Sequence, residues 1–286
     1  MKKSIDFVVA LMAAMVIGCS SGNDEQRVVY EPAEVTLTFS PWVMEPDGNA
    51  DATTRAVASI AGVVSRLDVW IYESGSEVTA IHQVSTDGGF GTVTATLDRT
   101  KTYTIYAVGH NSDGAATLAD GLVSFPSDII RESMFYTAQL SPASSSSLSC
   151  EMQRIVGKLR IETTDNVPTG ASYVTLAVAT AATKWSVAGV PGEATGRTVR
   201  INGVGSMVGQ TVALNCYLLS TTDAATEFDI VATLYDANDG VLMQRTFEDV
   251  PIRNGYKTTY RGAFFTGAMS ASFTVDDWNE YDVVEF

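Results

Sequence analysis

Apolar and polar residues alternate along most of this chain with a period of two, the mark of half-buried β-strands. Val35, Leu37 and Phe39 share one face of a first predicted strand. Leu67, Val69 and Ile71 share a face of a second, with Asp68, Trp70 and Tyr72 opposite, and Val93, Ala95 and Leu97 repeat the pattern. Arg99-Thr100-Lys101 reads as a turn into a strand at 103–108, which Gly109, Asn111, Asp113 and Gly114 then end with turn chemistry.

The alternation resumes at 155–161 and 173–178, then through Val212, Leu214, Cys216 and Leu218, and again through Ile230, Ala232 and Leu234. Residues 236–240, Asp-Ala-Asn-Asp-Gly, read as a hairpin loop with the glycine placed for a positive φ. A closing strand is expected over 271–275. Residues 115–118 and 129–135 are candidates for short helical turns, but neither sustains a 3.6-residue period. The reading is all-β, with antiparallel sandwiches favoured over a parallel α/β sheet. A chain of 286 residues accommodates two such domains. The small, polar run Ser141-Pro142-Ala143-Ser144-Ser145-Ser146-Ser147 places their junction, giving 33–148 and 149–286.

The first 18 residues depart from this pattern. Lys2 and Lys3 precede an apolar run over 7–17, which is too short for the about 20 residues that a membrane span needs. Val16-Ile17-Gly18-Cys19 has the form of a lipoprotein cleavage site, with Gly18 the last residue removed and Cys19 the lipid-bearing first residue of the mature chain. Residues 19–32 then form a polar, acidic tether. The location implied is the bacterial envelope, lipid-anchored through Cys19.

Composition narrows the partners. Lys+Arg 18 against Asp+Glu 33 gives −15, and removing the signal, with Lys2, Lys3 and Asp6, makes the chain one unit more negative. Nucleic acid is excluded, because binding it needs phosphate neutralisation by Lys and Arg. No basic cluster addresses anionic lipid, so the membrane is reached through Cys19. Of the three cysteines, Cys150 and Cys216 remain. An oxidising envelope permits a disulfide between them, while their apolar surroundings equally suit two small buried hydrophobes.

Candidate chemistry is sparse. His82 and His110 lie on separate segments without cysteines or carboxylates at ligand spacing, which argues against a metal. The run 203–209 fails both the G-x-S-x-G and the G-x-G-x-x-G patterns. Residues 47–51 and 236–239 lack the ligand series of a calcium loop. No catalytic residue and no cofactor is expected. Trp42, Trp70, Trp185 and Trp278 would stack on sugars if exposed, although such tryptophans more often fill a core. Arg55, in the small polar run Asp51-Ala52-Thr53-Thr54-Arg55-Ala56, sits in a protease-accessible stretch between the first strand and the rest. A cut there would release that strand and leave an open groove.

The lipobox, Thr54-Arg55-Ala56, the strand 103–108, Arg154-Ile155-Val156-Gly157-Lys158, Pro251-Ile252-Arg253-Asn254-Gly255-Tyr256-Lys257 and Asp277-Trp278 occur in an order that resembles the fimbrillin superfamily of Bacteroidetes-type (type V) pili. The resemblance implies two tandem transthyretin-like β-sandwich domains and surface fimbriae for adhesion and biofilm formation. Shaft subunits of that superfamily are trimmed at an arginine, for which Arg55 stands at the matching place, whereas anchor subunits keep the lipid. The short stretch after Trp278 resembles the fimbrillin-A-associated anchor or minor subunits. The expectation is therefore a non-enzymatic anchor or accessory subunit joined to shaft subunits by strand addition, with host proteins or glycans as further partners. The alternatives are a shaft or tip subunit cut after Arg55, and a surface glycan-binding lipoprotein with a concave aromatic patch.

Overall fold

The structure is a computed structural model that describes residues 30–42, 59–221, 224–266 and 273–278. The described residues from Glu31 onward belong to one compact unit, and before it only the exposed Tyr30 is described. The described residues are all-β: strands joined by turns, three 3-10 turns and no α-helix.

Nine strands come first: β1 (Pro32–Pro41), β2 (Arg66–Glu73), β3 (Ser76–Val84), β4 (Thr92–Asp98), β5 (Tyr103–His110), β6 (Thr117–Ala119), β7 (Leu122–Ser124), β8 (Ser133–Leu140) and β9 (Ser147–Arg154). Seven of them form one sheet in the order β3-β2-β5-β8-β9-β1-β4. This sheet folds over on itself, because β8 and β9 pair at only two rungs, Met134↔Arg154 and Phe135↔Gln153, before β9 turns away to pair with β1. Val35, Leu37 and Phe39 of β1 thereby meet Leu67, Val69 and Ile71 of β2 in one core. Burying such a side chain contributes about 1.5–3 kcal/mol. The serine-rich run at 141–146 is the loop between β8 and β9.

The rest of the chain supplies β10 (Val156–Thr163), β11 (Tyr173–Val178), β12 (Lys184–Ser186), β13 (Val190–Pro191), β14 (Arg197–Ile201), β15 (Ala213–Leu219), β16 (Thr226–Tyr235), β17 (Val241–Ile252), β18 (Tyr256–Gly262) and β19 (Phe273–Asp277). Two four-stranded sheets, β15-β10-β18-β19 and β14-β11-β16-β17, enclose a second core that includes Leu159, Leu176, Ile230 and Phe247. A small sheet, β13-β12-β7-β6, joins the two parts. Around it lies a third core, in which Trp70, Val108 and Phe135 meet Val156, Trp185, Leu219 and Trp278.

Three local expectations change. Strand β2 is buried on both faces, Asp68 and Trp70 included, because the third core covers the face that alternation alone would assign to solvent. The helical turns expected at 115–118 and 129–135 are absent: β6 takes Thr117 and Leu118, β8 begins at Ser133, and the 3-10 turn lies at Pro126–Asp128. In the 236–240 loop the positive φ, 62°, belongs to Asp239 rather than Gly240. Gly240 is required for a different reason, since a Cβ there would stand 2.7 Å from Asp236 Oδ2. The carboxylate that fills this space accepts the Asn238 and Gly240 N–H groups at 2.8 and 2.7 Å, an Asx-type turn.

Two positions generate tests. A Cβ on Gly157 would lie 2.5 Å from the Arg253 carbonyl oxygen and 2.6 Å from Ile252 Cγ2, where β10 runs beside the turn into β18. Gly157→Ala is expected to lower stability by about 1–3 kcal/mol, measured by urea titration. Asp165 holds the chain at 264–266 by accepting the N–H groups of Phe264, Phe265 and Thr266 at 2.7, 2.7 and 2.6 Å, and the Thr266 hydroxyl at 2.9 Å. Burial pushes this carboxyl up, but the Phe264 N–H, the Thr266 hydroxyl and N–H, and the Phe265 N–H together outweigh it, so it sits below its ordinary value. A depressed folded-state value means stability that is present above the unfolded-chain value and lost as pH falls through the folded one. Denaturation midpoints between pH 5 and about 2 should therefore fall less steeply with acidification in Asp165→Asn than in the native sequence.

Candidate functional site

The first strand is the best-defined candidate site. It lies inside its sheet, antiparallel to β4 from Pro32↔Asp98 to Thr38↔Thr92 and parallel to β9 from Thr36↔Ser147 to Pro41↔Met152. The ladders continue past both ends, with Arg99 N–H donating to the Glu31 carbonyl at 2.7 Å and Trp42 N–H to the Met152 carbonyl at 2.8 Å. At the start of the strand, Asp98 accepts the Thr100 N–H at 2.9 Å, the Thr100 hydroxyl at 2.8 Å and the Glu31 N–H at 3.4 Å. The Thr100 N–H is the main reason that the Asp98 carboxyl lies below its ordinary value. Apolar residues at every second position fill the slot from within, Val35 and Leu37 fully buried and Phe39 nearly so. Phe39 also meets Tyr136 edge to face at 6.2 Å.

The sequence-derived site residues distribute unevenly over the structure. Gly18, Cys19 and Arg55 lie outside the described residues. Cys150 and Cys216 are both free and buried, and the structure does not bring them together: Cys150 belongs to the core between β1 and β2, Cys216 to the core between the two four-stranded sheets. Burial pushes both thiols up to about 11, with Tyr136 beside Cys150 and Arg197 near Cys216 opposing the shift, so at neutral pH they act as small hydrophobes. Three of the four tryptophans are buried, and Trp42 alone is exposed, at 43%.

A polar cluster escaped the sequence reading. The spacing of His82 and His110 gave no carboxylate beside them, yet the β3-β2-β5 order sets Asp68 between the two. Asp68 Oδ1 meets His82 Nδ1 at 2.7 Å, and Oδ2 meets His110 Nε2 at 2.8 Å and the Ala116 N–H at 2.7 Å. The Ser112 N–H donates to His110 Nδ1 at 3.1 Å, which leaves the ring proton on Nε2, facing the carboxylate. Among the described residues no hydroxyl or thiol is hydrogen-bonded to either imidazole, and no three His, Cys, Asp or Glu side chains converge as metal ligands. The cluster ties three strands and the loop before β6 together. An acid in mid-strand between Leu67 and Val69 was the available signal for it.

A second polar knot holds the end of the described chain. Arg154 Nε donates to Glu132 Oε1 at 2.5 Å, its Nη1 donates to the Trp278 carbonyl, and its guanidinium covers the Trp278 ring at 4.2 Å. Lys158 Nζ lies 5.6 Å from the same ring. Burial pushes the Glu132 carboxyl up, with Arg154 and then Lys158 drawing it back.

The fold and its first strand define an all-β protein whose sheet is completed by an N-terminal strand held in an interior slot. The chain belongs to a family of unknown function (DUF6562), which it matches over residues 127–285. No curated protein matches it. Among solved structures, a putative adhesin from Bacteroides thetaiotaomicron shares the fold with a TM-score of 0.50 at 10% identity, over 88% of this chain and 98% of that one. A putative adhesin from Bacteroides ovatus aligns with a TM-score of 0.49 at 15% identity, over 86% and 95%. The fimbrial anchor protein Mfa2 from Porphyromonas gingivalis aligns at 0.46 and 12%, over 85% and 95%. What the Bacteroides thetaiotaomicron structure shares with this chain is the fold.

The slot makes a direct test possible. Leu37→Ala, at a fully buried position facing β2, is expected to cost about 2–5 kcal/mol in chemical denaturation, whereas Thr38→Ala on the exposed face should stay within about 0.5 kcal/mol.

Proposed function

We propose that this chain is a non-enzymatic fimbrial anchor or accessory subunit, tethered to the outer membrane by a lipid on Cys19 and joined to fimbrial shaft subunits by strand addition. The observation that carries this reading is the interior position of β1 between β4 and β9. A strand held by ladders on both sides and by alternate apolar side chains is the kind of element that strand addition replaces, with backbone hydrogen bonds giving affinity and pockets giving register. Further support comes from the fold shared with a putative adhesin and from the ordered motifs of the sequence. In this reading the two large cores are two transthyretin-like sandwiches.

Whether the lipid is permanent depends on Arg55. Residue 55 lies after β1 in the chain and residue 19 before it, so an uncut chain keeps Cys19 covalently joined to a strand locked in the sheet. Cleavage after Arg55 would separate both from the remainder and open the slot to a strand from another subunit, which is the shaft or tip alternative.

Fractionation of cells carrying the native sequence and Cys19→Ala tests the tether. The native protein is expected in the outer-membrane fraction and the variant outside it; an unchanged distribution would refute lipid anchoring. Mass spectrometry of the N-terminus in the same samples should find acylated Cys19, and an N-terminus at Ala56 in assembled fimbriae would replace the anchor by the shaft.

A further inference from the structure

The chain carries two Asn-Gly pairs, Asn202-Gly203 and Asn254-Gly255. Asparagine is a thermolabile residue, and glycine after it adds to the hazard, because no Cβ shields the backbone nitrogen that attacks the side-chain amide. That reaction asks three things of a fold: an amide free to swing, a following N–H free of a hydrogen bond, and access for water. The two pairs differ in all three.

Asn254 is buried and its amide is bound at both ends, Nδ2 donating to the Ser220 carbonyl at 2.7 Å and Oδ1 accepting the Ser220 N–H at 3.2 Å. The Gly255 N–H donates to the Val156 carbonyl at 3.0 Å. Reaching the attacking geometry would break all of these hydrogen bonds away from solvent, which is costly. Asn202 follows the last residue of β14 and is exposed, as is Gly203. Its amide oxygen accepts from Arg200 Nε at 2.9 Å, while Nδ2, the group that must leave, is bound to no described residue. Arg200 is itself held in place, its guanidinium lying 3.5 Å from the centre of the Tyr173 ring. The Gly203 N–H meets no acceptor among the described residues, and the space around this glycine is open, since a Cβ there would find nothing within 4 Å.

We propose that Asn202 is a site of spontaneous deamidation to aspartate and isoaspartate, and that the fold protects Asn254 from the same change. The Gly203 nitrogen attacks Asn202 Cγ; a C–N bond forms, the Cγ–Nδ2 bond breaks, and Nδ2 departs as ammonia with the proton that the Gly203 nitrogen gives up. Water then opens the cyclic imide. Opening at Cγ leaves aspartate, and opening at the main-chain carbonyl leaves isoaspartate, with the backbone rerouted through Cβ and Cγ. No oxidant or reductant is needed. Either product adds a negative charge beside Arg200, and isoaspartate lengthens the main chain just before the 3-10 turn at Val204–Met207, which is pinned by buried Val204 and by the Gly205 N–H donating to the Ser172 carbonyl at 3.1 Å. This modification goes beyond the fimbrial reading and depends neither on the lipid nor on strand addition, so either proposal can fail while the other stands.

The test is to age the purified full chain at mildly alkaline pH, once folded and once in urea, and to withdraw samples at intervals. Circular dichroism confirms that the first sample stays folded. Peptic digestion at acid pH, where the attack is slow, followed by tandem mass spectrometry, locates each asparagine that has become one mass unit heavier, and isoaspartyl methyltransferase with labelled methyl donor reports the isomer. A protected site reacts only through local opening, so in the folded chain conversion at Asn202 should exceed that at Asn254 by roughly 10-fold or more. In urea the two rates should converge. An unchanged Asn202 in the folded chain, or equal conversion of Asn202 and Asn254 there, would overturn the proposal.

Discussion

Strands β4 and β9 have no ladder with each other; what joins them is β1, antiparallel to one and parallel to the other. Without it, two rows of backbone donors and acceptors and a stripe of core would be open at once. Unpaired backbone groups are expensive to bury, and an apolar stripe facing water is equally unfavourable, so the slot must hold a strand of matching period. The sheet folds over at β9, and this lets the apolar face of β1 close on Leu67, Val69 and Ile71 rather than on solvent.

The two large cores are not joined by a bare linker. Between them lies the third core, threaded by polar contacts that serve both sides. Arg197 of β14 donates to the Tyr217 carbonyl and, at 2.9 Å, to the Ile130 carbonyl, while Arg154 reaches back to Glu132 and forward to Trp278. Burying a guanidinium is costly, and here backbone carbonyls and one carboxylate offset that cost at Arg154 Nε and Nη1 and at Arg197 Nη1 and Nη2.

Much of the architecture was legible in the alternation of residues. The inner faces Val35-Leu37-Phe39 and Leu67-Val69-Ile71 are the buried ones, and the strand expected at 103–108 lies within β5. What escaped was whatever depends on a partner distant in sequence. Asp68 and Trp70 look like a solvent face until β6, β7 and β12 cover them, and Asp68 lies 14 residues from His82 and 42 from His110. The role of Gly240 was misread for a local reason, since its small size serves the Asp236 carboxylate and not the backbone angle.

By itself the sequence determined the all-β class and the inner face of the early strands, because each rests on residues within a few positions of one another. Period is a local property. Tertiary structure alone decided that β1 sits between β4 and β9, that Cys150 and Cys216 belong to separate cores, and that one carboxylate joins two histidines. Each of these depends on which strands become neighbours, and pairing between distant strands is set by the packing of whole faces rather than by any single stretch of residues.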